Sequence, residues 1–337
     1  MEPKRKSDLS RAFSEDGQLK THVGGQALLE GIMMRGKFNW SVAVRQPDGD
    51  IYLEEHDLAS GRPENSWLRW PVVRGVVAFV ESLMLGYKAL EIAALHAFDD
   101  SEEPEDGEEG VEFGQKEMTI SMVIGLVLGV VLFVVAPALI TNLIVGEYDR
   151  ATLTWNLVDG LLRVAVFVFY IWLIGRMSDI KRMFGYHGAE HKTIHCYEHG
   201  LPLTPENARS FPRLHVRCGT AFLIMVMIIA IIIYTITPLG VLISAWGVPD
   251  GAPKLILVII VRILLMPLIA GISYEITVKW AGSHPENPLV KVVLWPGMQM
   301  QYLTTREPDE SQIECAIAAM QLVLEREQLE KAASTTS

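Results

Sequence analysis

The sequence predicts a mainly α-helical, polytopic membrane bundle of about four spans, with a small cytoplasmic α+β portion that includes an N-terminal β-hairpin. Half of the 337 residues are apolar, yet the formal net charge is −11, so the polar residues must be concentrated in segments of their own. Four stretches are long and apolar enough to cross a hydrocarbon core of about 30 Å, which requires roughly 20 helical residues. One segment near the N-terminus alternates apolar and polar residues, as a β-strand does.

The N-terminal part of the chain precedes the membrane segments. Residues 1–23 are basic and polar, and no apolar run follows that would make a cleavable signal, so we expect them to be disordered and the first span to target the chain. Within residues 24–66, "WSVAVRQPDGDIYLEEHDL" alternates apolar and polar residues on both sides of Asp48 and Gly49. This pattern predicts a β-hairpin with its turn at that Asp-Gly pair.

The next two segments lead to the bundle. Residues 67–98 are apolar, but Arg74, Glu81 and Lys88 recur every seven residues and so share one face of a helix. We therefore expect an amphipathic helix lying on or beside the bundle, and a fifth span is the less favoured alternative. Residues 99–117 are dominated by acidic side chains and predict a solvated linker.

The predicted bundle occupies residues 118–280, and its basic connection sets the orientation. The loop 176–218 is rich in arginine and lysine, whereas the connections after the first and third spans hold little beyond Arg150. The positive-inside rule then places this loop and both termini in the cytoplasm of a multi-pass inner-membrane protein. The four predicted spans are Thr119–Val145, Trp155–Gly175, Gly219–Thr237 and Lys254–Ser273.

Charged residues inside two predicted spans need partners. Asp159 and Arg163 lie one turn apart on the second span, and Arg262 enters the fourth span to a comparable depth. A lone charge at that depth costs several kcal/mol, so we expect an ion-paired cluster with a structural role.

The C-terminal segment, residues 281–330, is predicted to be cytoplasmic. It places Ile313, Ile317, Met320 and Leu324 at helical spacing, which indicates an amphipathic helix docked on the rest of the protein. No basic tract lies outside the membrane flanks, so we do not expect a nucleic-acid partner. The expected surroundings are membrane lipid and a small or lipid-like substrate, and the sequence does not predict an oligomeric state.

The most informative motif is "HGAEH", residues 187–191, within "GYHGAEHKTIHCYEHG". A helix places His187 and His191 one turn apart, about 6 Å along its axis. Two imidazoles at that separation can bind one zinc ion at Zn–N distances of about 2.1 Å. The letters H-x-x-E-H are those of an inverted zinc-protease motif, in which the glutamate activates water. The sequence therefore predicts a divalent metal site, most simply zinc, with Glu190 as the general base.

Additional ligands must come partly from other segments. His195 lies about 12 Å from His187 along a helix axis, so it would serve a second ion or the outer shell, with Glu198 on an overlapping face. The fourth span ends in "GISYE", which returns Glu275 to the same side of the membrane as a natural third ligand. Cys218 in "RLHVRCGT" can bind zinc as a thiolate, and a buried structural cysteine is an equal alternative.

Five segments together resemble the YqhQ-like family of bacterial membrane proteins, a domain of unknown function described as predicted metal-dependent enzymes. The resemblance covers nearly the whole chain from residue 24. It implies a metal-dependent activity without an established substrate. Its carriers are "GGQALLEGIMMRG" (24–36), "YHGAEHKTIHCYE" (186–198), "RLHVRCGT" (213–220), "ISYE" (272–275) and "TTREPDESQIECAIAA" (304–319).

Position by position, the resemblance singles out a set of polar residues in these motifs. The chain departs from the family pattern at Val216, where proline commonly follows the histidine, and this leaves the ligands unaffected. With Arg217 or Arg35 holding an anionic substrate, the set predicts a zinc-dependent hydrolase at the inner membrane face. The residues that the resemblance implies are His187, Glu190, His191, Glu198, Cys218, Glu275, Glu30 and Arg35.

Two other functions remain open. A di-iron oxidase or hydroxylase would need a larger set of histidines and carboxylates around paired metals. A metal-stabilised membrane scaffold or regulator would use the same ligands to tie the loop to the bundle, without turnover.

Overall fold

The computed structural model describes residues 8–14, 23–58, 66–97, 115–148, 152–237, 239–281, 283–284 and 287–336. The strands are β1 (Gly24–Leu28), β2 (Gly31–Arg35), β3 (Asn39–Arg45) and β4 (Ile51–Asp57). The helices are α1 (Asp8–Ser14), α2 (Val73–His96), α3 (Gln115–Val130), α4 (Ala136–Val145), α5 (Thr152–Ile174), α6 (Ser178–Glu198), α7 (Pro205–Arg209), α8 (Gly219–Ile236), α9 (Leu239–Ala245), α10 (Ala252–Tyr274), α11 (Pro288–Thr304) and α12 (Glu310–Thr336). A 3₁₀ turn, Trp67–Arg69, precedes α2, and π-helical segments Val131–Val135 and Glu275–Ala281 continue α3 and α10.

The four-span bundle is confirmed. In the described part of the chain, the helices long and apolar enough to cross a membrane are Thr119–Val145, Thr152–Ile174, Gly219–Ile236 and Ala252–Ala281. Consecutive spans pack side by side, α4 on α5, α5 on α8 and α8 on α10. Helix α2 does not belong to this set, and it packs on α10 and on the sheet.

The predicted hairpin is present and belongs to a larger sheet. Strands β3 and β4 pair in antiparallel register with Arg45 opposite Ile51, and the turn places Gly49 at φ +95°, a conformation that favours glycine. Strands β1 and β2, which the sequence did not predict, extend the sheet in the order β1-β2-β3-β4.

This sheet is covered on both faces. Leu28, Met33 and Val42 pack against Ala89 and Ala93 of α2. The opposite face is built from Ile32, Met34 and Ala43, which pack on α6 and α12. The sheet therefore lies between the amphipathic helix and the helix that carries the histidines.

The C-terminal helix confirms the amphipathic pattern. Ile313, Ile317, Met320 and Leu324 are all buried, and α12 packs on α6, β2 and β3. The sequence did not predict α11, which precedes it and packs on span α8.

Other boundaries differ from the predictions. Residues 8–14, expected to be disordered, form α1, because Leu9 and Ala12 pack with Leu214 and Met298. The connection after α8 contains the short helix α9. The predicted acidic linker falls at residues 99–114 outside the described residues, and residues 115–117 already belong to α3.

The intramembrane ion cluster is present as predicted. Asp159 accepts hydrogen bonds from Arg163 Nε at 2.9 Å and from Arg262 Nη1 at 2.5 Å. Arg262 also donates to Asn156, and its guanidinium lies over the rings of Trp155 and Tyr234. These contacts join α5, α8 and α10, because Asn156 Nδ2 donates to Tyr234 O at 2.8 Å. The cluster therefore fastens three spans to one another.

Candidate metal centre

Helix α6 carries the predicted site and is buried along most of its length. The sheet and α12 cover it, and the segment after α11 crosses it at Gly188. A Cβ at Gly188 would overlap the backbone carbonyl of Arg306, so only glycine permits this approach. Glycine in a helix costs about 1 kcal/mol relative to alanine. At this position it lets the end of α11 lie directly against the histidines.

His187, His191 and Cys218 form a group of three ligand atoms that lie within 4.8 Å of one another. The two imidazole rings have centroids 4.5 Å apart, and His187 Nε2 is 3.1 Å from Cys218 Sγ. A tetrahedral zinc with bonds of about 2.1–2.3 Å separates its ligand atoms by roughly 3.5 Å. The three side chains therefore have the spacing that one zinc ion requires.

Backbone carbonyls orient both imidazoles for metal binding. His187 Nδ1 lies 2.8 Å from Thr304 O, and His191 Nδ1 lies 2.6 Å from Arg213 O. A carbonyl only accepts, so each Nδ1 carries the proton and each Nε2 presents its lone pair. Zinc-binding histidines in proteins almost always donate their second nitrogen in this way.

The buried Nε2 of His191 supports metal binding by this group. Its side chain is 1% exposed, and its Nε2 has no hydrogen-bond partner among the described residues. A buried acceptor without a partner costs about 1–3 kcal/mol. A metal ion with two imidazoles and one thiolate would satisfy this nitrogen, so the residues present fit zinc by both chemistry and geometry.

Cys218 is held at the N-terminus of α8. It is the N-cap residue of that span, and the backbone N–H of Thr220 donates to its Sγ at 3.4 Å. The sulfur thus lies where the membrane span begins, facing α6. The other cysteines are buried away from this group, and burial raises the pKa of Cys315 to about 11 and also raises the pKa of Cys196.

Glu190 lies beside the group on α6 and is 5% exposed. Burial raises the pKa of its carboxyl group, while the electrostatic interaction with His187 and the hydrogen bond from the Gly25 N–H oppose the rise. The Gly25 N–H donates to Glu190 Oε1 at 2.9 Å. A Cβ at Gly25 would lie 2.9 Å from Glu190 Cδ, so this glycine of β1 allows the carboxylate to reach the backbone. A buried carboxyl group with raised proton affinity suits a general base.

A cavity of about 620 Å³ opens at this group. Its polar end is lined by His187, Glu190 and Cys218, and its other walls come mainly from α2, α5 and α8. Two of the candidate ligands, His187 and Cys218, and the candidate base Glu190 therefore face one space, with His191 behind its lining.

His195, Glu198 and His215 form a second group, with ligand atoms also within 4.8 Å of one another. Burial and neighbouring charges hold the pKa values of His195 and His215 well below their usual range. The Arg217 N–H donates to His215 Nδ1 at 3.2 Å, so the proton of the neutral ring is on Nε2, which lies 3.7 Å from Glu198 Oε2. At this separation no hydrogen bond forms, and His215 Nε2 and His195 Nδ1 have no hydrogen-bond partner among the described residues, so this group too has the ligand atoms to hold a metal ion.

The second group touches the first through its rings. His215 lies with its ring centroid 5.6 Å from that of His191 and 4.6 Å from that of His195. His195 Nε2 donates to Leu214 O at 3.0 Å. His195 and Glu198 therefore lie outside the first group, and their roles as ligands of a second ion or as outer-shell residues stay predictions.

Glu275, the expected third ligand, lies outside both groups. It accepts from Val72 N at 3.1 Å and from Arg74 Nε at 2.7 Å, with a second bond from the same guanidinium. The structure brings Cys218 to His187 and His191 in its place. The reason is that α2 packs on α10 and delivers Arg74 to the end of that span.

The two arginines expected to hold an anionic substrate both lie near glutamates. Arg217 forms an ion pair with Glu198, and Arg35 lies 3.8 Å from Glu81. Neither lines the 620 Å³ cavity. Glu30, which the family resemblance singled out, pairs with Arg182 of α6 and so joins the sheet to this helix.

The sequence reasoning missed the residues that position the site. Gly25 and the carbonyls of Thr304 and Arg213 carry no side-chain signal for this role. His215 was visible in "RLHVRCGT", but only the fold brings it to His195.

The chain is similar to known proteins along most of its length. The family model described as "Protein of unknown function (DUF1385)" matches residues 70–326. The "Uncharacterized protein YqhQ" of Bacillus subtilis (strain 168) is 32% identical over 311 residues, covering 91% of this chain and 93% of that protein. No solved structure matches the chain.

Proposed function

The chain belongs to the DUF1385 family of proteins of unknown function, and from its candidate site we propose that it is a zinc-dependent hydrolase at the cytoplasmic face of the inner membrane. One observation carries the proposal. The ligand atoms of His187, His191 and Cys218 lie within 4.8 Å of one another, and His187 and Cys218 line the polar end of a cavity that Glu190 also lines. Three protein ligands beside an open space are typical of catalytic zinc sites, whereas structural sites have four.

In this proposal His187, His191 and Cys218 would hold the ion. When bound, zinc would lower the pKa of a water ligand to about 7 and polarise a substrate carbonyl. Glu190 takes the proton from the attacking water, because burial raises its affinity for a proton. The Gly25 N–H fixes Oε1 of that carboxyl group, so the carboxylate keeps its direction during transfer.

The orientation is part of the proposal. The connection that contains α6 and α7 is rich in arginine and lysine, and the positive-inside rule favours such loops in the cytoplasm. Because an even number of spans separates the ends of the bundle, both termini would lie on that side with the metal site.

The test combines metal content with turnover on detergent-purified protein. Plasma mass spectrometry should find about one zinc per chain in the wild type. It should find none in His187→Ala/His191→Ala, because this variant loses two of the three ligands. Glu190→Gln should keep the zinc and lose about 10²–10⁴-fold in hydrolysis of fluorogenic acyl esters and amides. Absence of zinc from wild type purified without chelators, or loss of zinc in Glu190→Gln, would contradict the assigned roles.

A metal-stabilised scaffold is the second candidate, and a specific observation favours it. The first group and its carbonyl acceptors join α6 to the segment before α8 and to the end of α11. If this is the role, metal removal unfolds the cytoplasmic portion, and Glu190→Gln leaves the cellular phenotype intact. Two iron atoms per chain would instead indicate the oxidase, with the second group as part of the metal site.

A further inference from the structure

A second cavity continues the first one along the membrane spans. It has a volume of about 230 Å³ and is lined by α5 and α8, with Asp159, Arg163 and Tyr234 at its far end. Phe167 and Leu223 line both cavities, so the two spaces adjoin at these side chains. We call the two cavities together the α5–α8 groove.

The groove begins at the candidate metal site and follows the spans into the membrane. Its wall on α8 runs from Thr220 to Tyr234. Fourteen residues at 1.5 Å each give about 21 Å. One leaflet of a hydrocarbon core about 30 Å thick is about 15 Å deep. The groove is therefore deep enough for a whole acyl chain that lies parallel to the chains of the bilayer.

The upper part of the groove is open at its side. Leu83 of α2 and Leu223 of α8 line it, and these side chains are 58% and 43% exposed. Phe79, Phe167 and Phe222 supply further apolar wall. Because α5 and α8 are membrane spans, this apolar opening would face lipid, and a chain could enter from the bilayer without crossing water.

The polar end of the groove restricts the head group. Glu190 is the only acidic or basic side chain of the 620 Å³ cavity among the described residues, apart from the titratable His187 and Cys218. Arg35 and Arg217 do not line it. The other polar lining groups, such as Gln26, Ser82 and Tyr274, are uncharged. No arginine or lysine lines this cavity to pair with a phosphate or sulfate, whereas an ester or amide matches its uncharged polar groups.

We infer that the substrate is a membrane amphiphile with one long hydrocarbon chain in the α5–α8 groove and an uncharged ester or amide at His187 and Cys218. This inference rests on the proposed hydrolase function. In the reaction the water oxygen bonds to the acyl carbon, and the acyl C–O or C–N bond breaks. Glu190 takes one proton from the water and passes it to the leaving oxygen or nitrogen. The products are a fatty acid and an alcohol or amine.

The experiment uses the full-length protein in lipid nanodiscs with a photoreactive probe, a long-chain monoacylglycerol that carries a diazirine at the middle of its chain. After irradiation, peptide mass spectrometry locates the label. Labelling should concentrate on α5 around Phe167 and on α8 between Leu223 and Ile231. Leu223→Trp fills the junction of the two cavities and should reduce this labelling several-fold.

The matched control is Ile232→Trp on the same helix. Ile232 is 50% exposed and lines neither cavity, so this variant should keep the wild-type pattern. Equal labelling of all lipid-facing helices, or labelling that Leu223→Trp leaves unchanged, would overturn the inference.

A second variant keeps the test decisive if Leu223→Trp fails to fold. Ala230 lines only the deeper cavity, so Ala230→Leu should shorten the groove. Labelling from a diazirine at the chain end should then fall, while labelling from a diazirine near the carbonyl should persist. Equal effects on both probes would contradict a chain that extends along the groove.

Zinc content is measured in the same preparations, so the two proposals can fail separately. Zinc without groove labelling contradicts the inferred substrate and leaves the hydrolase standing. Groove labelling without zinc contradicts the hydrolase, and with it the substrate role, but leaves the groove as a binding site for the chain.

Discussion

Two of the buried polar clusters among the described residues, the intramembrane ion cluster and the His187–His191–Cys218 group, are satisfied in different ways. In the membrane, Asp159 lies between Arg163 and Arg262, so each charge has an opposite charge within hydrogen-bond distance. One nitrogen of that cluster, Arg262 Nε, has no acceptor among the described residues, but its guanidinium lies over aromatic rings. On α6, by contrast, His187 and His191 each use Nδ1 for a backbone carbonyl. His187 Nε2 lies 3.1 Å from Cys218 Sγ, and His191 Nε2 has no hydrogen-bond partner among the described residues.

This difference in hydrogen bonding distinguishes a structural ion-pair cluster from a ligand-binding site. In a structural cluster the charged side chains pair with one another, because a buried charge without a partner would cost several kcal/mol. In a ligand-binding site, hydrogen bonds on the far side of each ligating side chain fix its orientation, and the ligating atoms stay available for the ligand. The intramembrane cluster therefore has the contacts of a structural cluster, whereas the α6 group has those of the metal site that we propose.

The largest effect is expected from breaking the membrane cluster. Asp159→Asn leaves two arginines buried without an anion, and loss of one partner of a buried ion pair costs about 3–5 kcal/mol. The free energy of unfolding in detergent, measured by denaturant titration, should fall by that amount. Glu310→Gln is the control, because Glu310 and its partner Arg209 are 57% and 53% exposed. Similar losses in both variants would remove the proposed role of the cluster.

Metal removal should affect only the α6 site. A ligand at 100 times its dissociation constant stabilises the folded state by about 2.7 kcal/mol. A zinc chelator should therefore lower the melting temperature of the wild type and of any folded Asp159→Asn protein. The His187→Ala/His191→Ala variant should show no shift. A chelator effect of equal size in that variant would place the bound metal elsewhere.

Variants of Cys218 and Glu275 test which of these residues is the third zinc ligand. Cys218→Ser should weaken zinc binding by more than the 10–100-fold that loss of an outer-shell partner costs. Glu275→Gln should leave the zinc affinity unchanged, because Glu275 is engaged by Arg74 and Val72 N. Competition titration with a zinc indicator measures both variants. A larger loss of zinc affinity in Glu275→Gln than in Cys218→Ser would indicate that Glu275 is a zinc ligand.

The cysteines provide a chemical readout of the same site. The thiolate is the nucleophile, so Cys315, with a pKa of about 11, is only about one part in a thousand thiolate at pH 8. Both Cys315 and Cys196 are buried and should resist iodoacetamide in the folded protein. Cys218 should react after chelation and be protected when zinc is restored. Reaction of Cys218 that zinc does not change would argue against a zinc–sulfur bond.

The smallest effect is expected at Gly25. A methyl group there would approach Glu190 Cδ to 2.9 Å and Met33 O to 2.7 Å, so the carboxylate must shift. Gly25→Ala should lower turnover several-fold and leave the zinc content unchanged. Gly24→Ala is the matched control, because a Cβ at Gly24 meets no atom within 4 Å. Equal turnover in the two variants would show that the Gly25 contact does not position the base.

The sequence predicted those parts of the fold that local patterns determine. Long apolar runs located the four spans, and the Asp48-Gly49 pair located the β3–β4 turn. Strand β2 escaped detection because "GIMMR" is buried on both faces and so lacks the alternation of a half-exposed strand. Its two faces are covered by α2 and α12, which lie far away in sequence.

The candidate site likewise combines residues that lie close together within one helix with residues that distant segments bring to it. The spacing of His187, Glu190 and His191 is local to one helix, so the sequence contained it. The third ligand depended on which segment packs against that helix. The sequence favoured Glu275, but Arg74 of α2 engages this carboxylate, and Cys218 lies beside the histidines. Long-range packing decides which side chains come together, and no local pattern in one sequence encodes it.

The most direct test of the central claim is X-ray absorption spectroscopy at the zinc edge of the purified protein. The spectrum should show one sulfur at about 2.3 Å together with nitrogen or oxygen neighbours at about 2.0–2.1 Å, including the outer-ring scattering of two imidazoles. Loss of the sulfur shell in Cys218→Ser would complete the assignment. A spectrum with no sulfur in the wild type would contradict a site formed by His187, His191 and Cys218.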